Sequence, residues 1–301
     1  MAKYRFRIGP ILPKLPKIKA PRLLNRSVTP VSEDGEASQR KIPVKIFRKD
    51  PFGNVVILKR MLVSALAMFT YGKFNLINKL QIEGTEYLEE LPQKNVLFIS
   101  NHQTYYADVM ALYHIFCSVK WHFRNSIKLP LYLLMPRANI FYVAAEETMK
   151  NSGFFPKILS YTGAVTVKRS WRQQGKDVAR GADTNAPEKI KKALEYGWVV
   201  TFPQGTTSPY APVRKGAAHL IKEYNPIVIP VHIDGFRRAF DKKGLRFKKR
   251  GVNLKIKFHA PLEYSESDTL EELTKKITTA IGQEEFPKDD MDEKNTEKGK
   301  E

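Results

Sequence analysis

Hydrophobic and polar positions in this chain follow two rhythms. Residues 95–100, 162–168, 197–202, 227–233 and 252–258 are short runs rich in apolar and β-branched side chains, and each predicts a strand. Trp198-Val199-Val200-Thr201-Phe202 and Ile227-Val228-Ile229-Pro230-Val231 are almost continuously apolar. Continuous rather than alternating apolarity predicts strands covered on both faces. Pro230 has no amide hydrogen, which predicts that its strand ends there or lies at a sheet edge.

Helical rhythms separate these runs. Val109, Leu112, Tyr113 and Phe116 fall at i, i+3, i+4 and i+7, an amphipathic pattern. Pro187 is placed to open a helix over 187–196, with Gly197 just past its end. Thr269 and Glu272 have capping-box spacing ahead of Leu273, Ile277 and Ile281. The alternation predicts an α/β fold, a mixed, largely covered sheet flanked by helices. An amphipathic N-terminal helical segment precedes it: Val55 to Leu80 has an apolar centre from Met61 to Phe69 between Lys59-Arg60 and Lys73. That segment suits a membrane interface or a core position, and the flanking cations favour the interface.

The predicted organisation is a basic, Pro-rich arm (1–50), the interfacial helical segment (51–80), the α/β domain (81–283) and a charged, unstructured tail (284–301). In the arm, Pro10, Pro13, Pro16 and Pro21 break helices while aliphatic residues alternate with Lys and Arg. It reads equally as a solvated tail or as a segment seeking an anionic lipid surface. No apolar leader core is visible, and no uninterrupted apolar run reaches the ~18–20 residues that span a bilayer.

Charge narrows the partners. Lys and Arg number 51 against 31 Asp and Glu, a formal net charge of +20 that favours anionic partners: nucleic acid, an anionic lipid surface or a phosphorylated substrate. No recognised nucleic-acid motif or interleaved aromatic platform appears, so nucleic acid is not the expected partner. Cys117 is the single cysteine, which excludes an intrachain disulfide and a thiolate metal site, and it reads as a small core residue. The six His lack metal-ligand spacing, so no metal is expected. His114, within the apolar helical pattern, reads as structural.

Candidate chemistry begins at Asn101-His102-Gln103-Thr104-Tyr105-Tyr106-Ala107-Asp108, between a strand and a helix. There a His and an Asp can form a base and the group that orients it, or simply a loop residue and a helix cap. A second stretch, Phe202-Pro203-Gln204-Gly205-Thr206-Thr207-Ser208, follows a strand and predicts a turn whose backbone N–H groups can meet an anion or oxyanion. A third, Gly163 to Arg169, is a strand ending in Lys168-Arg169. A fourth, Arg214-Lys215-Gly216-Ala217, opens a helix beside two cations, which suits a phosphate. Gly-x-Ser-x-Gly, Walker A, Gly-x-Gly-x-x-Gly and His-Glu-x-x-His signatures are absent.

Taken in order, these stretches and Val228-Ile229-Pro230-Val231 resemble the motifs of the glycerolipid acyltransferases typified by lysophosphatidate acyltransferase, over about residues 55–265. The resemblance implies a glycerolipid acyltransferase-like fold and an O-acyltransferase of phospholipid biosynthesis. Its donor would be acyl-CoA or acyl carrier protein, with no cofactor beyond that thioester, and its acceptor a lysolipid of the lysophosphatidate type. It would work peripherally or monotopically at the cytoplasmic face of a membrane with an anionic surface. His102 and Asp108 would be catalytic. Asn101, Arg169, Gln204, Gly205, Thr206, Thr207, Ser208, Arg214 and Lys215 would bind substrate.

Three departures qualify the match. Five residues separate His102 from Asp108 where the family has four, and one extra residue turns a helix by about 100°. Gln204 replaces a Glu. Thr207 replaces an Arg that helps hold the acceptor phosphate, and Thr cannot make that bidentate contact. Either Arg169, Arg214 or Lys215 takes over, or the acceptor is a non-phosphate lysolipid such as an acylated amino acid. A catalytically inactive lipid-surface scaffold of the same fold is the remaining reading.

Overall fold

The central strands are apolar on both faces because helices cover both faces. The computed structural model describes residues 48–150, 154–168, 172–173, 176–177 and 183–284. The predicted arm up to residue 47, the tail from 285 and Arg169 lie outside the described residues.

The first half runs α1 (Val56–Gly72), a π-helical turn (Lys73–Ile77), β1 (Lys79–Glu83), α2 (Glu86–Glu89), β2 (Val96–Ser100), α3 (Ala107–Lys120), a 3-10 turn (Pro130–Leu133), β3 (Ile140–Ala145), α4 (Glu146–Lys150), α5 (Phe154–Ser160) and β4 (Ala164–Val167). A small ladder, β5 (Arg172–Gln173) with β6 (Lys176–Asp177), precedes α6 (Ala186–Tyr196), β7 (Trp198–Thr201), α7 (Gly216–Tyr224), β8 (Ile227–Asp234), α8 (Phe236–Ala239), β9 (Asn253–Phe258) and α9 (Leu270–Ala280). Seven strands form one sheet in the order β1-β9-β8-β2-β7-β3-β4, mixed because β8 and β9 pair antiparallel while the other pairs are parallel.

Alternate strand residues feed two cores. Val96, Phe98, Ile140, Tyr142, Trp198 and Val200 point to the α1/α3 side; Leu97, Ile99, Phe141 and Val199 point to the α6/α7/α9 side. Each such side chain, when fully buried, contributes roughly 1.5–3 kcal/mol. The predicted capping box is present: Glu272 N donates to Thr269 Oγ1 (3.2 Å) and Thr269 N to Glu272 Oε2 (2.8 Å).

Three expectations are corrected. α3 is not amphipathic: every residue from Ala107 to Val119 is buried, because α1 lies over the face turned away from the sheet. His114 on that outer face joins Thr70 of α1 (3.0 Å) and Tyr132 (2.9 Å). The helix predicted to Leu80 ends earlier, and Lys79-Leu80-Gln81-Ile82-Glu83 is the edge strand β1, whose polar-apolar alternation is the period of a strand. Pro230 lies in β8, an interior strand. Its carbonyl accepts from His259 N (3.0 Å), just past the end of β9. Its missing N–H therefore faces a neighbour that is itself leaving the sheet, so no ladder bond within β9 is lost.

Candidate active site

β2 ends at Ser100, and the chain turns through Gln103–Tyr106 before α3 begins at Ala107. Across that turn His102 Nδ1 meets Asp108 Oδ2 at 3.0 Å. The same carboxylate accepts from Gln103 N (2.6 Å), Thr104 N (3.1 Å) and Thr104 Oγ1 (2.7 Å). Asp108 is fully buried. An acceptor-only group met by three other donors holds His102 with its proton on Nδ1, leaving Nε2 for a substrate. The His102 ring also stacks on Phe202, centroids 3.9 Å apart at 19°.

The extra residue is absorbed in the turn, not in the helix. Tyr105 N and Tyr106 N donate to the carbonyls of Lys242 and Lys243, both at 3.0 Å. Gly244 follows with φ of +79°, and a Cβ there would lie 2.6 Å from Ala107 N and 2.9 Å from Thr104 Oγ1. The lengthened turn thus rests on a second loop, and only glycine lets that loop approach so closely. Lys73, just past α1, donates to Leu245 O of the same loop (2.8 Å).

His102 opens into a cleft of about 310 Å³ at the carboxyl ends of β2, β3 and β7. Val109, Tyr142, Val143, Ala144, Met149 and Phe202 give it apolar walls, while Thr206 and Lys242 are polar. Gly205 and Thr206 border this cleft. Gly205 N, however, donates to Phe202 O (2.9 Å) and closes its own turn, so that group is not directed at an oxyanion.

A second cleft of about 270 Å³ is lined by Gln103, Thr207, Ser208, Arg237, Lys242 and Lys248 among others. Arg237 Nη2 donates to Thr207 O (2.7 Å), and Arg237 N donates to Gln103 Oε1 (3.1 Å). Asp241 also borders it. Burial alone would raise its pKa, but the Arg246, Leu245 and Gly244 backbone N–H groups and the Arg246 charge hold it below the usual carboxylate range. Its carboxylate is tied into the turn, so the cations dominate. Lys242 borders both clefts.

Other expected residues serve the frame. Asn101 is buried and exchanges two bonds with Ile233, Nδ2 to O (2.8 Å) and N to Oδ1 (2.7 Å), locking β2 to β8. Gln204 is buried, and its Nε2 donates to Ala211 O and Gln283 Oε1, both 2.8 Å, which ties the loop to the end of α9. Lys215 pairs with Glu271, and Arg214 N donates to Pro203 O (3.1 Å); neither borders either cleft. Arg237, Lys242 and the stacking of Phe202 were not foreseen. Arg237 and Lys242 lie 135 and 140 positions from His102, as their numbers give, and no motif spacing links them to it; Phe202 opens the loop motif, but the motif says nothing of its contact with the His102 ring. Among the described residues no three His, Cys, Asp or Glu side chains gather as a metal site.

A family model described as Acyltransferase matches residues 79–234, just over half of the chain. Among solved structures, the crystal structure of the 1-acyl-sn-glycerophosphate (LPA) acyltransferase PlsC from Thermotoga maritima is similar at 18% identity and a TM-score of 0.42, covering 76% of this chain and 77% of that one. No curated protein matches the chain.

Proposed function

This chain belongs to the acyltransferase family, and from that premise we propose that it transfers a fatty acyl group from a thioester, acyl-CoA or acyl carrier protein, to the hydroxyl of a lysolipid. The observation that carries the reading is the His102–Asp108 bond beside an apolar-walled cleft. His102 Nε2 takes the proton of the acceptor hydroxyl as its oxygen attacks the thioester carbonyl carbon. Asp108 keeps the other proton on Nδ1 and stabilises the imidazolium. Collapse of the tetrahedral intermediate breaks the C–S bond, and the imidazolium proton leaves with the thiol. The thioester is already activated, so no acyl-enzyme is required.

For the acceptor we propose an anionic headgroup in the second cleft, facing Arg237 and Lys242, with lysophosphatidate as the leading candidate. Thr207 at the position of the family's Arg supports the alternative, a non-phosphate lysolipid such as an acylated amino acid, whose carboxylate the same cations would suit. An inactive scaffold is disfavoured because the His102–Asp108 contact is intact despite the longer spacing.

We further propose that α1 rests on an anionic membrane surface. Its buried face carries Lys59, Val63, Ala67 and Thr70, whereas Leu58, Met61, Met68 and Phe69 are exposed. A helix with its larger apolar side chains outward fits an interface better than water. No helix among the described residues is long and apolar enough to cross a membrane.

The test is acyl transfer by the purified protein with lysophosphatidate, a lyso-aminolipid and a neutral monoacylglycerol as acceptors. Wild type is expected to acylate at least one anionic acceptor, and His102→Ala to lose about 10²–10⁴ of the rate. Full activity in His102→Ala would sink the mechanism.

A further inference from the structure

At the opposite end of the sheet lies a cleft of about 330 Å³ bordered by four cations, Arg48, Arg60, Lys120 and Arg137, and by no acidic residue. Gln93, Asn139 and Tyr196 frame it, and these precede β2, β3 and β7. The three strands are parallel, so this is their amino-terminal end, whereas His102 follows the carboxyl end of β2. Five residues at about 3.3 Å each put the two ends on the order of 17 Å apart.

Arg137 is the unusual member. It is 5% exposed and stacks on Trp198, guanidinium carbon 3.5 Å from the ring centroid. Its polar partners are neutral: Nε donates to Asn139 Oδ1 (3.1 Å) and Nη2 to Gln93 Oε1 (2.8 Å). No ion pair to it forms among the described residues. A buried cation with no counter-charge is costly unless an anion joins it. Three further cations border the same space, and Lys120 is held below the ordinary lysine pKa by partial burial and then by the Arg60 and Arg137 charges.

The neighbours say which anion fits. Arg60 lies between Lys59 and Met61 on α1, whose outward residues Ile57, Leu58 and Met61 are exposed. Lys120 Nζ donates to Met135 O (3.3 Å), and Leu134 and Met135 are exposed beside it. Apolar side chains that can enter a bilayer thus adjoin a cluster that can hold a phosphate at its surface.

We propose that Arg48, Arg60, Lys120 and Arg137 form a second lipid site, which takes the phosphate headgroup of an anionic phospholipid and fixes how α1 lies on the membrane. It rests on the membrane-surface reading of α1 and not on the acyl-transfer mechanism. A phospholipid held here cannot be the reacting acceptor, because a glycerol backbone spans only a few ångströms between phosphate and hydroxyl. The site is an anchoring one.

Two measurements on the full-length protein test it. The first is sedimentation with vesicles of phosphatidylcholine alone or with added phosphatidate. Wild type is expected to bind the anionic vesicles at least tenfold better, and Arg60→Glu with Lys120→Glu to lose that preference while keeping its melting temperature. Reversing a single exposed charge on the opposite face, Lys275→Glu, is expected to have little effect. The second is calorimetric titration with monomeric dihexanoyl phosphatidate, which needs no membrane; because this lipid can also enter the acceptor cleft at Arg237 and Lys242, the double variant is expected to show one site fewer than wild type. If wild type binds no vesicle but titrates the short lipid at this site, the docking of α1 fails and the headgroup site stands. Unchanged titration in the double variant overturns the site. So does equal loss of vesicle binding in Lys275→Glu, or tighter binding of adenosine 3′,5′-bisphosphate than of the short lipid through the same four cations.

Discussion

Arg237 places its guanidinium 2.7 Å from the carbonyl oxygen of Thr207, the position at which the family's loop carries an arginine. A cation carried by α8 thus stands beside the loop position that lacks one, on the rim of a cleft that Lys242 shares with the His102 site. A guanidinium holding one carbonyl still has donors to offer an anionic headgroup.

Arg237→Ala is therefore expected to raise KM for an anionic acceptor on the order of ten- to a hundredfold, the range for a lost charge-assisted bond. KM for neutral monoacylglycerol should hardly change. Arg237→Lys should recover part of the loss, and recovery with one anionic acceptor but not another would identify the headgroup. Equal losses on charged and neutral acceptors would show that Arg237 only braces the loop.

Gly244 gives a test of how the long turn keeps His102 and Asp108 together. Gly244→Ala forces a side chain into the left-handed region and sets its Cβ 2.6 Å from Ala107 N. The expected destabilisation is roughly 1–3 kcal/mol by urea unfolding. A larger proportional loss of kcat should accompany it, because Ala107 carries the chain directly into Asp108. An active, fully stable Gly244→Ala protein would show that the turn is held by other contacts.

α1 predicts a separable membrane effect. Met68→Glu with Phe69→Glu adds charge to two exposed positions, so thermal stability should be nearly unchanged. Vesicle binding should fall at least tenfold, and binding by wild type to anionic vesicles should weaken as salt rises. Vesicle binding equal to wild type would remove α1 from the interface.

His114 predicts an acid-side slope in stability. Burial pushes its pKa from 6.5 down to about 3. Below about 6.5 the unfolded chain binds a proton that the folded protein refuses, so stability falls with pH down to about 3. This group contributes up to about 1.4 kcal/mol per pH unit in that window. His114→Gln should remove that component from urea unfolding measured between pH 7 and pH 4. Identical slopes in the two proteins would contradict the neutral buried imidazole.

Much of the fold is legible in the residues because burial leaves a pattern along the chain. The runs around Phe98, Val200 and Ile229 mark strands covered on both sides, and Thr269 with Glu272 marks a helix start. His102, Asp108 and the Phe202–Ser208 loop are readable as candidates because they sit at strand ends whose order the chain preserves. β1 was masked by the apolar helix before it. The covering of α3 was masked because an apolar residue looks alike whether a sheet or another helix buries it.

By itself the sequence determined the α/β class, the candidate pair His102 and Asp108, and the extra residue between its members. It could not say whether five residues leave that pair in contact. Only tertiary structure decided this, since the answer depends on Lys242, Lys243 and Gly244, which lie far along the chain and approach through backbone alone. The same holds for the cations. Net charge counts them, but Arg237 and Arg137 gained their places through the strands and helices that carry them, and electrostatics acts through space rather than along the sequence.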